Sequence, residues 1–334
     1  MDRYTIHRFL GNGAFGAALL VAEKATGHQF VIKTVPAKTL SPKEKEFALK
    51  EVKILSSLQH KNVVRFIDYF EENGTLHIVQ EYCDGGELNV VNGTCMEEKK
   101  IWGYLAQICL GLKYLHSQKV LHRDLKPANI FLTKNDDLKL GDFGLSKKLP
   151  HSLAMTTSFV GTPIYLSPEI CERKEYNSKC DMWSLGVLLY SMASGSPPFL
   201  EDDHDKTFEA IKTSPYKPLE SSITKELRDI IYSLLNKNPD YRPSAVDLLK
   251  IPVLRTTALR FCSPDELVDT KQTPVWTLLL IHYIHYADHT LSVNQVTRNW
   301  VANSKLLGDT VSTAGILAVS AGKQFMRDVS QRNR

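Results

Sequence analysis

The stretch His122-Arg123-Asp124-Leu125-Lys126-Pro127-Ala128-Asn129, followed shortly by Asp142-Phe143-Gly144, constrains this chain more than any other. A fold that serves it must bring two carboxylates, a lysine and a carboxamide to one place. Phosphoryl transfer needs those groups, because its chemistry is mostly positioning and charge stabilisation around a γ-phosphate. Asp124 suits the carboxylate that orients an attacking hydroxyl and accepts its proton. Asp142 suits a carboxylate that holds a divalent cation against phosphates, and Asn129 offers a carbonyl oxygen to a second ion. Mg2+, with Mn2+ as a substitute, takes oxygen ligands, so neither cysteine nor histidine is required. The blander alternative is an amphipathic helix leaving an Asp-rich turn. Either tripeptide alone can arise by chance; both in order, with the asparagine correctly spaced, argue against that alternative.

At 334 residues the chain has room for one large two-lobed domain plus an appendage, or for two ordinary domains. Its formal net charge of +4 is too small to argue for nucleic acid or a membrane surface as partner. Six cysteines, at positions 83, 95, 109, 171, 180 and 262, lie scattered without a CxxC pair. That argues against a disulfide framework or a zinc site and fits a reducing compartment. The opening Met1-Asp2-Arg3-Tyr4 lacks an apolar signal core. The most apolar stretch, residues 275–287, is too short to span a bilayer and contains His282 and His285. The expectation is a soluble, cytoplasmic protein with no direct nucleic-acid contact and no membrane span.

Residues 4–33 read as three strands. The first ends in Leu10-Gly11-Asn12-Gly13-Ala14-Phe15-Gly16, and apolar residues resume at Ala17-Ala18-Leu19-Leu20-Val21. The glycines let backbone approach phosphates closely. A dinucleotide-binding turn uses the same spacing, but it opens a helix. Here a Thr26-Gly27 turn and the run Gln29-Phe30-Val31-Ile32-Lys33 follow, so the loop covers a nucleotide from a hairpin. Ser41-Pro42-Lys43-Glu44 predicts a helix start, with Ser as N-cap, Pro in the first position and Glu completing a capping box. The helix should run to about Leu58, with Phe47, Glu51, Ile54, Leu55 and Leu58 on one face. Glu51 is then a carboxylate in an apolar stripe, costly unless paired, and Lys33 is its natural partner. Residues 76–88 read as a buried strand that breaks into a glycine-bearing linker.

Residues 102–116 read as an apolar-periodic helix that delivers the chain to His122, a packed histidine rather than a base. Residues 145–158 are polar, rich in Ser, Thr and Lys, and without periodicity, as in a mobile loop. They lead to Gly161-Thr162-Pro163-Ile164-Tyr165-Leu166-Ser167-Pro168-Glu169. Asp181-Met182-Trp183-Ser184-Leu185-Gly186 then opens an apolar helix, and Asp240-Tyr241-Arg242-Pro243-Ser244 lies further on. For residues 255–334 small helices packed on the core are the preferred reading, ahead of a docking or dimerising segment. Ser263-Pro264-Asp265-Glu266 could start one of them. Sustained heptads are not evident. His282, His285 and His289 fall near helical spacing but lack the carboxylate-cysteine set of a metal site.

Together the motifs resemble those of protein kinases over residues 4–254. The resemblance implies an α+β, two-lobed fold: a small, mostly antiparallel β lobe with one key helix over about 4–82, and a larger, mainly helical lobe over about 86–254. It implies ATP held by Leu10, Gly11, Asn12, Gly13, Ala14, Phe15, Gly16, Ala18, Val31, Gln80 and Phe131. The Glu81 carbonyl and the Cys83 amide would meet the adenine edge. Lys33, paired with Glu51, would hold the α- and β-phosphates, Lys126 would reach the γ-phosphate, and Asn129 and Asp142 would hold the metal. Glu169 would pair with Arg242, and Asp181 would brace the catalytic-loop backbone. Ser158 is the expected activating phosphosite, with Thr156 and Thr157 as lesser acceptors. Its phosphate would pair with Arg123 and order the peptide platform around Thr162.

Lysine in the catalytic run is similar to serine/threonine kinases. Further details resemble the NIMA-related (NEK) family: Phe30-Val31-Ile32-Lys33, Ala18 after the glycine loop, Phe70-Glu71-Glu72-Asn73-Gly74, Glu81-Tyr82-Cys83-Asp84-Gly85-Gly86, Asn129-Ile130-Phe131-Leu132, and Tyr165-Leu166-Ser167-Pro168-Glu169-Ile170-Cys171-Glu172. That resemblance implies protein substrates with Ser/Thr acceptors and roles at microtubules, the centrosome or the basal body and cilium. Gln80 departs from the family's apolar gatekeeper, which bears on the back of the pocket more than on ATP use. A pseudokinase scaffold is the alternative from another class, disfavoured by the presence of Lys33, Glu51, Asp124, Lys126, Asn129 and Asp142. Kinases of aminoglycosides or lipids lack the 161–169 segment and the Arg242 partner.

Overall fold

The structure is a computed structural model that describes residues 1–13, 16–39, 41–90, 93–142 and 163–267. Of Gly13, Thr39, Pro42, Glu44, Phe47 and Glu51 it describes the backbone alone. Ala14, Phe15, Thr156, Thr157, Ser158, Thr162, the Glu51 side chain and residues 268–334 therefore lie outside the described residues. The chain divides into two compact units, Met1–Phe261 and Cys262–Arg334. In the second, residues 264–267 form a short 3₁₀ turn, started by Ser263, whose N–H donates to Glu266 Oε1 at 2.9 Å.

The first unit opens with five strands: β1 (Tyr4–Gly13), β2 (Gly16–Glu23), β3 (Gln29–Val35), β4 (Phe66–Glu72) and β5 (Thr75–Glu81). They form an antiparallel sheet in the order β1-β2-β3-β5-β4, with helix α1 (Pro42–Ser56) between β3 and β4. Residues opposite one another in an antiparallel ladder share a face. The pairs Ala18–Lys33, Leu20–Val31, Lys33–Ile78 and Val31–Gln80 therefore put Ala18, Val31, Lys33 and Gln80 on one face. That face packs on α1 through Val35, Val52, Leu76 and Ile78. The other face buries Tyr4, Val21, Ile32 and Val79, with Tyr4 stacked on Phe70 at 6.3 Å.

Helix α1 ends at Ser56, two residues before the Leu58 expected from periodicity. The Ser56 and Ser57 hydroxyls donate to the Lys53 and Ile54 carbonyls, and the Ser57 and Leu58 amides fall into tighter i to i−3 bonds. Serine hydroxyls thereby compete with the helix for its last carbonyls. Residues 60–65 then run along a strand of the second lobe, with the Val64 N–H donating to Leu140 O at 2.8 Å and the Leu140 N–H to Asn62 O at 2.9 Å.

The second lobe begins with β6 (Gly86–Glu87) and α2 (Glu98–Ser117), followed by β7 (Ile130–Leu132) and β8 (Leu138–Leu140). Strands β6, β7 and β8 form a small antiparallel sheet in that order. Helix α2 starts before the expected Trp102, because Glu98 accepts from Trp102 Nε1 at 3.0 Å and from the Thr224 N–H at 3.0 Å. After the short α3 (Pro168–Cys171), helix α4 (Lys179–Ser194) runs through the lobe almost wholly buried. It stops at Gly195 in the left-handed region, φ 73°, with its N–H on Ser191 O. Helices α5 (His204–Thr213), α6 (Lys225–Leu234), α7 (Ala245–Leu248) and α8 (Pro252–Ala258) complete the lobe. Leu254 and Ala258 of α8 are fully buried, and α8 packs against α2. That packing carries the unit beyond residue 254.

Candidate active site

The catalytic loop is built around one buried carboxylate. Asp181 lies in the first turn of α4 and accepts from the His122 N–H at 3.0 Å, the Arg123 N–H at 2.8 Å and His116 Nε2 at 2.8 Å. Burial pushes its carboxyl up. The His116 bond and charge, the nearby His122 and the Arg123 amide outweigh that, and the group stays below the usual carboxylate range. This clamp holds Arg123 at φ 67°, a conformation that a non-glycine residue adopts only when its surroundings demand it. His122 is fully buried, and burial holds its imidazole below the usual histidine range, against the charges of Asp181 and Asp124. It is a packed, fully buried histidine.

From this anchor the loop presents Asp124, with Lys126 Nζ 3.0 Å from Asp124 Oδ2. Asn129 Nδ2 donates to the same Oδ2 at 2.8 Å and to the Asp124 carbonyl at 2.7 Å. Two acceptors against one amide group fix which end is nitrogen, so the Asn129 carbonyl oxygen remains for a cation. The sequence missed this anchoring bond, because the motif spacing gives the pair but not the direction of the amide.

The β7–β8 hairpin explains why two distant ligand candidates meet. Asn129 directly precedes β7, Gly141 directly follows β8, and Ile130 pairs with Leu140. The Gly141 N–H donates to Asn129 O at 2.9 Å, which sets Asp142 beside Asn129. The turn is closed by Asp136 at φ 63°, whose side chain accepts from the Tyr104 hydroxyl at 2.8 Å. Asp142 is also left-handed, φ 56°.

Across the lobes, Lys33 Nζ forms an ion pair with Asp142 Oδ1. The expected partner was Glu51, whose side chain lies outside the described residues. Burial pulls the Lys33 ammonium down to about 8, a pull the Glu87 charge opposes. Next to Lys33 in β3, Thr34 Oγ1 accepts from the Ala17 N–H at 3.0 Å and seats the glycine loop. A Cβ on Gly16 would meet Thr34 O at 2.1 Å, so only glycine lets the loop approach β3 this closely.

Gln80 is buried on the α1 side of the sheet, beside Val31 and Phe66 in the adjacent strands. Cys83 is buried in the linker that follows, and its thiol is pushed up to about 12 by burial and by Glu81, against Lys139. The linker joins β7 through the Gly85 N–H on Leu132 O at 2.8 Å and the Leu88 N–H on Ile130 O at 2.7 Å. This leaves the Glu81–Cys83 backbone at the boundary between the two sheets. Lys139, central in β8, pairs with Glu81 at 2.9 Å and was not expected from the sequence. Its only local signal is a polar residue between two buried leucines, and its partner lies far away in the chain.

Below the 163–169 segment, Arg242 forms a two-pronged pair with Glu169 of α3, at 2.8 Å on each arm. Its remaining donors reach the carbonyls of Asn236, Lys179 and Lys237, so all five guanidinium protons are used. Burial pushes the Glu169 carboxyl up, but Arg242 outweighs it and keeps the group below its usual range. Among the described residues no cluster of His, Cys, Asp and Glu could hold a metal, and no helix is long and apolar enough to cross a membrane. Mg2+ needs no such cluster, since one carboxylate and one amide oxygen suffice where phosphate oxygens and waters complete its shell.

Comparison with known proteins agrees with this geometry. A protein kinase domain matches residues 4–254. The chain is 40% identical over 270 residues to the serine/threonine-protein kinase Nek5 of Homo sapiens, covering 79% of this chain and 38% of that one. It is 37% identical over 273 residues to Nek1 of Mus musculus, covering 80% and 23%. A probable serine/threonine-protein kinase nek2 of Dictyostelium discoideum is 39% identical over 260 residues, covering 75% and 62%. The chain thus spans less than two thirds of these relatives. On the match across both lobes, it belongs to the protein kinase family, and its likeness there is to the NEK serine/threonine kinases.

Proposed function

We propose that this chain is a protein serine/threonine kinase that transfers the γ-phosphate of ATP to Ser or Thr hydroxyls of protein substrates. The observation that carries the reading is the convergence of Lys126 Nζ and Asn129 Nδ2 on one Asp124 oxygen, at 3.0 and 2.8 Å. Asp124 orients the acceptor hydroxyl and takes its proton as the oxygen attacks the γ-phosphorus. The bond to the bridging oxygen breaks, and its electron pair leaves with ADP. Lys126 offsets charge on the transferring group. Asp142 and Asn129 would hold Mg2+, whose charge neutralises phosphate oxygens when it is bound. Lys33 would exchange its contact with Asp142 for the α- and β-phosphates, and the Glu81 carbonyl and Cys83 amide would meet adenine.

Residues 4–254 form the kinase domain in this reading, with 255–334 as an extension. Phosphate on Ser158 would activate it by pairing with Arg123, whose guanidinium lies 6.0 Å from the Tyr176 ring centroid. A cytoplasmic site of action at microtubules, the centrosome or the basal body rests on the NEK likeness. A peptide array incubated with purified protein and Mg-ATP tests the central reading. Phosphate on Ser/Thr peptides supports it; tight nucleotide binding with no transfer to any peptide would favour a scaffold instead.

A further inference from the structure

Lys139 and Glu81 tie the two sheets together behind the adenine side of the cleft. Lys139 Nζ lies 2.9 Å from Glu81 Oε1 and also donates to the Lys61 carbonyl at 3.1 Å. The other Glu81 oxygen accepts from the Arg65 N–H at 3.1 Å, while the Glu81 N–H donates to Arg65 O at 2.9 Å. Glu81 is therefore fastened to Arg65 by its amide and one carboxylate oxygen, and to β8 by the other oxygen. It is the last residue of β5, and Lys139 stands three residues before Asp142. The two side chains are only 24% and 13% exposed, so solvent screens the pair incompletely. The Cys83 thiol is raised by Glu81 and lowered by Lys139, so both charges reach the linker.

We propose that the Glu81–Lys139 pair is an interlobe latch, and that Lys139 is a positioning residue for the backbone that meets adenine. The proposal rests on the kinase reading above. A linker already held against β8 needs less ordering when nucleotide binds, so the pair acts on nucleotide affinity. Without Lys139, Glu81 keeps a poorly solvated charge with fewer partners, and the segment carrying the Glu81 carbonyl and the Cys83 amide shifts to rehydrate it.

Nucleotide titration of the full chain tests the latch, using Mg-ATP as the probe. Lys139→Met and Glu81→Gln should each raise Kd about five-fold, the scale of a partly screened ion pair. The double variant should show the same loss rather than the product, because the two act as one unit. Lys139→Arg should restore affinity and serves as the folding control. In the nucleotide-free protein, amide exchange at Gly85 and Gly86 should quicken in Lys139→Met. Unchanged Kd and exchange in both single variants would overturn the latch, as would multiplied losses. Faster turnover at unchanged Kd would overturn it in favour of a restraint on lobe closure. Absence of phosphotransfer by the unmodified chain would count against the kinase reading, while the Kd and exchange measurements would still decide the latch.

Discussion

A Cβ added to Gly141 would meet Phe131 Cε2 at 2.7 Å, Phe131 Cδ2 at 2.9 Å and Val64 Cγ2 at 3.0 Å. Phe131 is the candidate floor of the adenine slot, so the residue before Asp142 is small because the ring needs its space. Gly141→Ala gains about 0.4–1 kcal/mol from a stiffer unfolded chain. Overpacking costs about 1–3 kcal/mol, which should win. We expect a lower melting temperature and weaker ATP binding, read by thermal melts and nucleotide titration; a neutral variant would mean that the ring yields freely. Lys33 supports a second prediction. Burial pulls its ammonium down to about 8, while Asp142 beside it favours the charged form, so its proton is held least firmly near that pH. Phosphate oxygens favour the charged form, so ATP binding near that pH should take up a fraction of a proton. Calorimetry in buffers of differing ionisation heat measures this, and Lys33→Met should abolish it. As pH rises above 8, ATP affinity should fall, since more of the lysine must be reprotonated to bind.

The strands were legible because β3 and β5 carry runs of β-branched residues and their flanking turns carry glycine. The β7–β8 hairpin leaves no sequence signal of its own: three residues per strand are too few for periodicity, although it is what joins Asn129 to Asp142. Its motif residues were legible all the same, since side-chain chemistry does not depend on recognising the strand. The apolar spacing overruns α1 by two residues, because serine hydroxyls decide the stop. Asp181 was expected to brace the loop, but His116 as its second partner was not, because a histidine in an amphipathic helix looks like many others. The segment between Asp142 and Pro163 carries the phosphosite prediction. Ser158→Ala and Arg123→Ala should each lower kcat at least ten-fold in active preparations, the scale of losing a charge-assisted contact worth about 1.5–3 kcal/mol. Mass spectrometry of the active protein should find phosphate on Ser158. Full activity in Ser158→Ala, without phosphate on Thr156 or Thr157, would refute the switch.

At the scale of the molecule, two buried ionic centres fix the second lobe around α4: Asp181 under the 122–124 loop, and Glu169 of α3 with Arg242. Breaking a buried pair strands a charge, so Glu169→Gln should cost about 3–5 kcal/mol at pH 7 by urea denaturation. The folded-state pKa of Glu169 is depressed below its ordinary 4.5, so its stabilisation is present above that value and lost as pH falls through the folded one. The stability gap between unmodified chain and variant should narrow below pH 4.5, and a constant gap would contradict this assignment. Between the lobes, Lys33 with Asp142 and Glu81 with Lys139 form ion pairs at two places, which the proposed reading assigns to the phosphate and adenine ends of the nucleotide. Within that frame, Asp124 is fixed by Lys126 and Asn129, and the proposed reading has it receive the proton of an acceptor hydroxyl. Single-turnover phosphotransfer by Asp124→Asn, with nucleotide affinity measured on the same preparation, tests that claim most directly. The account predicts a rate loss of at least about a hundred-fold with Mg-ATP affinity nearly intact, because it assigns the metal to Asn129 and Asp142 and adenine to the linker, not to Asp124. A variant that keeps a substantial fraction of the unmodified rate would contradict it.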